Sequence, residues 1–265
     1  MFYRNQVVYQ DLKPGDFSDL WWADVVEVKH DGMWVEVAID ADGNATAVSR
    51  NGTRKASWRV PAGIGPAMLI GELMVGTTHA VERGIVGSLV VFDCVDRHGS
   101  LSELGLADRR THAASIIRAA GIANWSLVEQ RPVAEAAAMW RELVEVGGEE
   151  GLVFKHSGQT FGMDWARMKR IAEVDFVCLG FNRGKSGAVV SVQAGLYDAS
   201  GTLRHVCDIG GVNRGMAAGF DASPAKYVGR VFKATGNRMF ASGALRHGAF
   251  GSWHADKHPS NCRMA

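Results

Sequence analysis

The chain has 265 residues, 47% of them hydrophobic and 22% charged, a length for one large domain or two modest ones and a mix that can bury a core. That excludes a disordered chain, a fibre and a disulfide-stapled miniprotein, and no apolar run approaches the roughly 18 residues that span a bilayer. The net charge of +1 hides an asymmetry: residues 1–171 carry 18 Lys+Arg against 22 Asp+Glu, while residues 172–265 carry 11 against 6 and also His205, His247, His254 and His258. A mildly acidic first part joined to a basic last third fits a catalytic body with a polyanion-gripping module.

In chain order, the N-terminal stretch MFYRNQVVYQDLKPGDF has no apolar h-region and no small-residue cleavage site. Cys94, Cys178, Cys207 and Cys262 lie far apart without a C-x-x-C pair, which argues against a zinc site or a disulfide framework. A reducing cytoplasm is the expected compartment. Strand patterns run over Ala23 to Lys29, Met33 to Ile39 and Ala45 to Ser49, the last two joined by a turn at Asp40 to Asn44. Leu69 to Val75 and Gly87 to Val95 are apolar enough for buried strands. Helical patterns follow over Leu104 to Ala120, with Gly121 at the stop, and over Pro132 to Val146, with Gly147-Gly148 at the end. The first part is therefore expected to be α+β with a mainly antiparallel sheet.

From Val174 the texture changes to short strands (DFVCLGF, AVVSVQAGLYD, LRHVCDIGG, YVGRVFKAT) separated by Gly, Asn, Asp and Ser turns. Such spacing, over roughly 90 residues, suggests a small β-barrel of OB-fold size. The expected division is 1–171 and 172–265, with the hinge near Arg170 to Glu173. Gly180 to Ser186 imitates a phosphate-binding G-x-x-x-x-G-K-[ST] loop but has only three residues between its glycines and a strand pattern after it. It reads as a glycine-rich basic turn.

The candidate chemistry sits on strand ends. Lys29 ends an apolar strand two residues after Glu27 and just before Asp31-Gly32; a lysine nucleophile must lose its proton, and a rigid site near carboxylates or a metal can control that. Arg50 follows the next strand. Glu72 lies inside the apolar run LIGELMV, where a carboxylate is costly unless it meets a metal or a hydrogen-bond donor. Phe92-Asp93 ends another strand, Glu150-Gly151-Leu152-Val153-Phe154-Lys155 follows the second helix, and Trp165-Ala166-Arg167-Met168-Lys169 closes the first part. Lysine, carboxylates, an aromatic ring and further cations in this order can assemble a pocket for a nucleoside triphosphate and its metal.

In order and spacing, these motifs resemble the nucleotidyltransferase motifs of ATP-dependent DNA ligases, a superfamily that includes RNA ligases and mRNA-capping enzymes. The resemblance runs from Glu27 to Pro259 and implies a minimal ligase: an adenylation domain with antiparallel sheets, then an OB-fold domain. It implies that Lys29 attacks the α-phosphate of ATP and becomes a lysyl-AMP. Glu27 would read the adenine amino group and Phe92 would stack on the adenine. Arg50 would contact the ribose and later the nick phosphate, and Glu72 would hold the ribose hydroxyls and help with metal. Glu150 matches the metal-binding glutamate, and Lys155, Arg167 and Lys169 would hold the nucleotide phosphates. Magnesium, or manganese, suits carboxylates plus phosphates, and phosphoryl transfer is mostly positioning and charge neutralisation. The implied partner is nicked double-stranded DNA, with no membrane association and a monomer as the default state.

The segment Leu245 to Pro259 resembles the last motif of DNA ligases, L-R-F-P-R-F-x-R-x-R-x-D-K-x-P. Arg246, Phe250, Asp256, Lys257 and Pro259 match, whereas Ser252 and His254 stand where the family has arginines that orient the pyrophosphate leaving group. Trp34 stands where DNA ligases usually have an arginine on the nick 5′-phosphate, which leaves Arg50 or another cation to make that contact. An RNA ligase of the same superfamily and a non-catalytic nucleic-acid end-binding protein are the alternative readings.

Overall fold

Two units make up the chain, Met1–Lys169 and Arg170–Ala265, and the structure, a computed structural model, describes residues 9–76, 80–81, 83–163 and 165–264. The first eight residues of the N-terminal stretch read above lie outside that range. In the first unit the strands are β1 (Tyr9–Leu12), β2 (Val25–Lys29), β3 (Met33–Ile39), β4 (Asn44–Ser49), β5 (Arg54–Arg59), β6 (Ala67–Leu73), β7 (Leu89–Arg97), β8 (Trp125–Leu127), β9 (Gln130–Pro132), β10 (Gly151–Lys155) and β11 (Trp165–Lys169). They form two sheets, ordered β1-β11-β10-β2-β9 and β5-β4-β3-β6-β7-β8.

Side-chain alternation gives each sheet two different faces. In the first sheet Val26, Val28, Leu152, Phe154, Ala166 and Met168 are buried against Met139, Trp140 and Val144, from a helix that covers this face. The other face carries Glu27, Lys29, Val153, Lys155, Trp165 and Arg167, all but Lys29 and Arg167 buried. In the second sheet Val35, Val37, Leu69, Leu89 and Val91 pack on Ala113, Ile116 and Ala120 of helix α1 (Leu106–Ala120). Trp34, Glu72 and Phe92 then fall on the opposite face. Gly121 ends α1 as expected, in the left-handed conformation with φ 64° and its N–H on the Ile117 carbonyl.

The second helical segment departs from a plain α-helix. It opens as a tight 3-10 turn over Val133–Glu135, is α-helical only over α2 (Ala136–Met139), and widens over Trp140–Val146. There the Gly147 N–H reaches the Glu142 carbonyl five residues back, at 3.0 Å. The sheets are mainly antiparallel, with two exceptions that local pattern does not announce. β8 lies parallel to β7 because α1 crosses between them, and β1 adds in parallel to β11 at the sheet edge.

The second unit holds β12 (Ala172–Arg183), β13 (Val189–Tyr197), β14 (Leu203–Ile209), helix α3 (Arg214–Ala222), β15 (Val231–Gly236), β16 (Arg238–Met239), β17 (Leu245–Arg246) and β18 (Ala249–Trp253). The main sheet runs β14-β13-β12-β15-β18. It closes on itself where Gly210 donates to the Gly248 carbonyl at 3.1 Å and accepts from the Phe250 N–H at 2.8 Å. β12 serves both halves of the barrel, pairing first with β15 and then with β13, and register shifts after Cys178 and Asn182 let it coil. Phe176, Phe220, Phe232 and Phe250 fill the interior. This is the OB-fold barrel expected from the strand spacing. The imitation phosphate loop is a strand end and hairpin turn, with the Gly184 N–H on the Ala188 carbonyl at 2.9 Å. Among the described residues no helix is long and apolar enough to cross a membrane.

Candidate active site

Between the two sheets of the first unit lies a cavity of about 520 Å³. Glu27, Lys29, Arg50, Glu72, Phe92, Lys155 and Arg167 all line it, from strands far apart in sequence. Glu150 and Lys169 join through ion pairs: Lys29 Nζ is 2.6 Å from Glu150 Oε2, and Lys169 Nζ is 3.2 Å from Glu150 Oε1. Pairing of β10 with β2 and β11 sets this up, since Gly151 lies opposite both Lys29 and Lys169. Gly151 is required there, because a Cβ would sit 2.0 Å from the Met168 carbonyl oxygen. Arg246, the remaining expected residue, is on β17 of the second unit, opposite Arg238.

The turn after Lys29 is built against Glu72. The Gly32 N–H donates to Glu72 Oε1 at 3.1 Å, and a Cβ on Gly32 would meet the Leu73 carbonyl at 2.7 Å and Glu72 Cγ at 2.8 Å. Burial pushes the Glu72 carboxyl up to about 7; the Lys29 cation opposes the rise and the Glu150 charge adds to it. Burial acts on Glu150 in the same sense, but Lys29 and Lys169 outweigh it and hold Glu150 below the ordinary carboxylate range. Two neighbouring carboxylates are thus set to different affinities for a proton.

At the deep end Glu27 is 2% exposed and accepts three hydrogen bonds. Its Oε1 accepts from Arg110 at 2.7 Å and Gln130 at 2.9 Å, and its Oε2 accepts from Lys155. The Lys155 ammonium lies 3.8 Å from the Trp165 ring centroid and 5.1 Å from that of Phe92. Burial lowers the Lys155 pKa and the Glu27 charge opposes the fall. The ammonium expected on phosphates therefore rests on Glu27 between two aromatic rings. Phe92 stands edge-on to Trp165, with ring centroids 5.9 Å apart at 82°. Behind Phe92, Asp93 is clamped by Arg109 of α1, Nε to Oδ1 at 2.8 Å and a terminal nitrogen to Oδ2 at 2.9 Å.

Around the cavity mouth the cations are differently held. Arg167 makes a bidentate pair with Asp11, 2.5 and 3.0 Å, so the edge strand β1 braces it. The Arg50 guanidinium stands 5.2 Å from the ring centroid of Trp34. Tyr9, Arg109, Arg110, Gln130 and Trp165 are among the site residues to which the sequence assigned no role. Arg109 and Arg110 occupy a polar-looking helix and resemble solvated charges; only the fold turns them inward. Tyr9 lines the cavity, and burial pushes its phenol well above the ordinary range. The Trp165 indole N–H is buried without a partner among the described residues. Buried donors are normally paired, so this one is available to a ligand.

No protein-family model matches the chain, and no curated protein does. Solved structures do. One, described as Lig E DNA ligases binding DNA with a minimal scaffold, has 16% identity and a TM-score of 0.66, over 93% of this chain and 98% of its own. Another, Pmar-Lig_Pre, has 15% identity and a TM-score of 0.68, over 94% of this chain and 68% of its own. At such identities the likeness is one of fold: this chain has the fold of these structures, a first unit of two sheets followed by an OB-fold unit.

Proposed function

We propose that the protein is an ATP-dependent DNA ligase that seals 5′-phosphate/3′-hydroxyl nicks through a lysyl-AMP on Lys29 and then an adenylated DNA. The observation that carries this reading is Lys29 on the cavity wall, 2.6 Å from Glu150 and sharing the cavity with Glu27, Glu72, Phe92 and Arg50. In the first step Lys29 gives up its proton and its nitrogen attacks the α-phosphorus of ATP. The N–P bond forms as the bond to the pyrophosphate oxygen breaks. AMP then passes to the 5′-phosphate, and the 3′-hydroxyl displaces it.

Each neighbour has a task in that sequence. Glu150 orients the Lys29 amine. Glu27, held by Arg110, Gln130 and Lys155, presents a carboxylate edge to an adenine amino group, and Phe92 offers the ring that an adenine stacks on. Lys155 reaches a phosphate only by leaving Glu27, so in this reading it positions that carboxylate; Arg167 and Lys169 take the phosphates. Glu72 serves the ribose hydroxyls. Among the described residues no three His, Cys, Asp or Glu gather as a metal cluster, yet Glu72 and Glu150 fit magnesium, which takes one or two carboxylates and completes its shell with water and substrate phosphates. When bound, such an ion neutralises phosphate charge during transfer. The basic second unit suits the DNA backbone.

The test is intact-mass measurement after incubation with ATP and magnesium. The wild-type protein gains one AMP and Lys29→Ala gains none. A wild-type protein that is free of pre-bound AMP and acquires no adduct overturns the proposal. A panel of nicked DNA, nicked RNA and hybrid duplexes then separates a DNA ligase from an RNA ligase.

A further inference from the structure

Lys55 differs from the other lysines of this cavity. Lys29 is paired with Glu150 and Lys155 with Glu27, and Lys169, beside the cavity, shares Glu150. Arg167 is paired with Asp11. Lys55 lines the same cavity and makes no hydrogen bond or ion pair to any described residue. No described carboxylate competes with an entering group for Lys55.

The backbone explains how Lys55 comes to be there. β5 pairs with β4 in a register that places Val48 opposite Arg54 and Ala47 opposite Ala56, so Lys55 is the extra residue of a bulge. Bulges concentrate beside active sites, and on the C-terminal side of this one β5 alternates regularly, with Lys55 facing away from Ala56 and Trp58. Ala56 and Trp58 pack against the apolar core beneath the sheet. Arg54 donates to Ser57 at 2.9 Å. Lys55 is left at the rim, on the wall that also carries Trp34 and Arg50. Trp34 supplies a ring for the Arg50 guanidinium and no charge of its own. The wall therefore presents two cations, one seated on an aromatic face and one sent to the cavity side by alternation from the core-facing Ala56, an arrangement suited to a phosphate.

We propose that Lys55 binds the 5′-phosphate of the nicked substrate together with Arg50, supplying the cation that Trp34 does not. The assignment rests on the ligase reading. Lys55 is exposed on an edge strand, so its replacement leaves the core intact. The experiment measures affinity of wild-type, Lys55→Met and Lys55→Arg proteins for two nicked duplexes, one with a 5′-phosphate and one with a 5′-hydroxyl. Wild-type protein prefers the phosphorylated nick. Lys55→Met loses about tenfold of affinity for that nick and little for the other, its salt slope falls by about 1, and Lys55→Arg restores most of the preference. Equal binding of both nicks by the wild-type protein, or an undiminished phosphate preference in Lys55→Met, overturns the assignment. The AMP adduct of the wild-type protein keeps the two failures apart: a protein that adenylates Lys29 but shows no role for Lys55 retains the ligase reading and loses this inference alone.

Discussion

Arg109→Met removes the cation beneath the strand that carries Phe92. Arg109 and Asp93 are both 0% exposed. Besides the bidentate pair, Arg109 donates to the Leu104 carbonyl at 2.5 Å and the Gln159 carbonyl at 3.0 Å. Methionine keeps much of the stem's volume but leaves the buried carboxylate with the Cys94 N–H, 2.8 Å from Oδ1, in place of a cation, and takes a donor from each of two carbonyls. Removing one partner of such a pair costs about 3–5 kcal/mol, which lowers the melting temperature of a unit this size by roughly 6–20 °C. The loss depends on pH. Burial already raises the Asp93 carboxyl, and Arg109 opposes the rise; without Arg109, Asp93 takes a proton on folding. The penalty is then full at pH 8 and shrinks as pH falls toward the unfolded carboxyl's range. Tryptophan fluorescence during urea unfolding reads the effect, because seven of the eight tryptophans precede residue 170. Adding Asp93→Leu to Arg109→Met recovers part of the loss, since an apolar pair leaves no buried charge. A loss below about 1 kcal/mol, the range of exposed ion pairs, or one unchanged between pH 5 and 8, refutes this account.

Three further outcomes follow from the same electrostatics. The Glu72 carboxyl is raised from 4.5 to about 7 in the folded state, so it favours folding most at low pH and that contribution is lost as pH rises through this window; Glu72→Gln flattens up to about 3 kcal/mol of pH dependence, and urea titrations at pH 5 and 8 measure it. In the second unit, partial burial raises the Asp175 carboxyl, but hydrogen bonds from Lys257 at 2.6 Å and His254 at 2.8 Å prevail and hold it low. Its contribution, about 1 kcal/mol, is present at neutral pH and lost as pH falls through its lowered pKa, and Asp175→Asn removes that acid-side slope in calorimetric scans. Affinity for nicked duplex, followed by anisotropy, falls linearly on a log–log plot against salt; a salt-independent constant contradicts phosphate contact by the basic second unit.

Much of the molecule was legible because strand alternation is a local property. Glu27 and Lys29, two apart on an apolar strand, had to share a face; Arg167 and Lys169 likewise. Met33–Ile39 formed as a strand with the bounds that its pattern drew, and the texture after Val174 announced a small barrel. The order of the motifs brought the candidate residues into view before any distance was known. Alternation does not determine which distant strands pair, or in what register. That Lys29 meets Glu150, 121 residues away, that Lys155 is paired with Glu27, and that Arg109 and Arg110 turn inward from a polar helix all depend on the pairing of β10 with β2 and the packing of α1 on its sheet. The parallel seat of β1 brings Tyr9 and Asp11 to the site, and the pairing of β5 on β4 brings the edge lysine Lys55 to it. Both arise from competition between hydrogen-bond register and core packing across the sheets, a balance that exists only once the chain is folded.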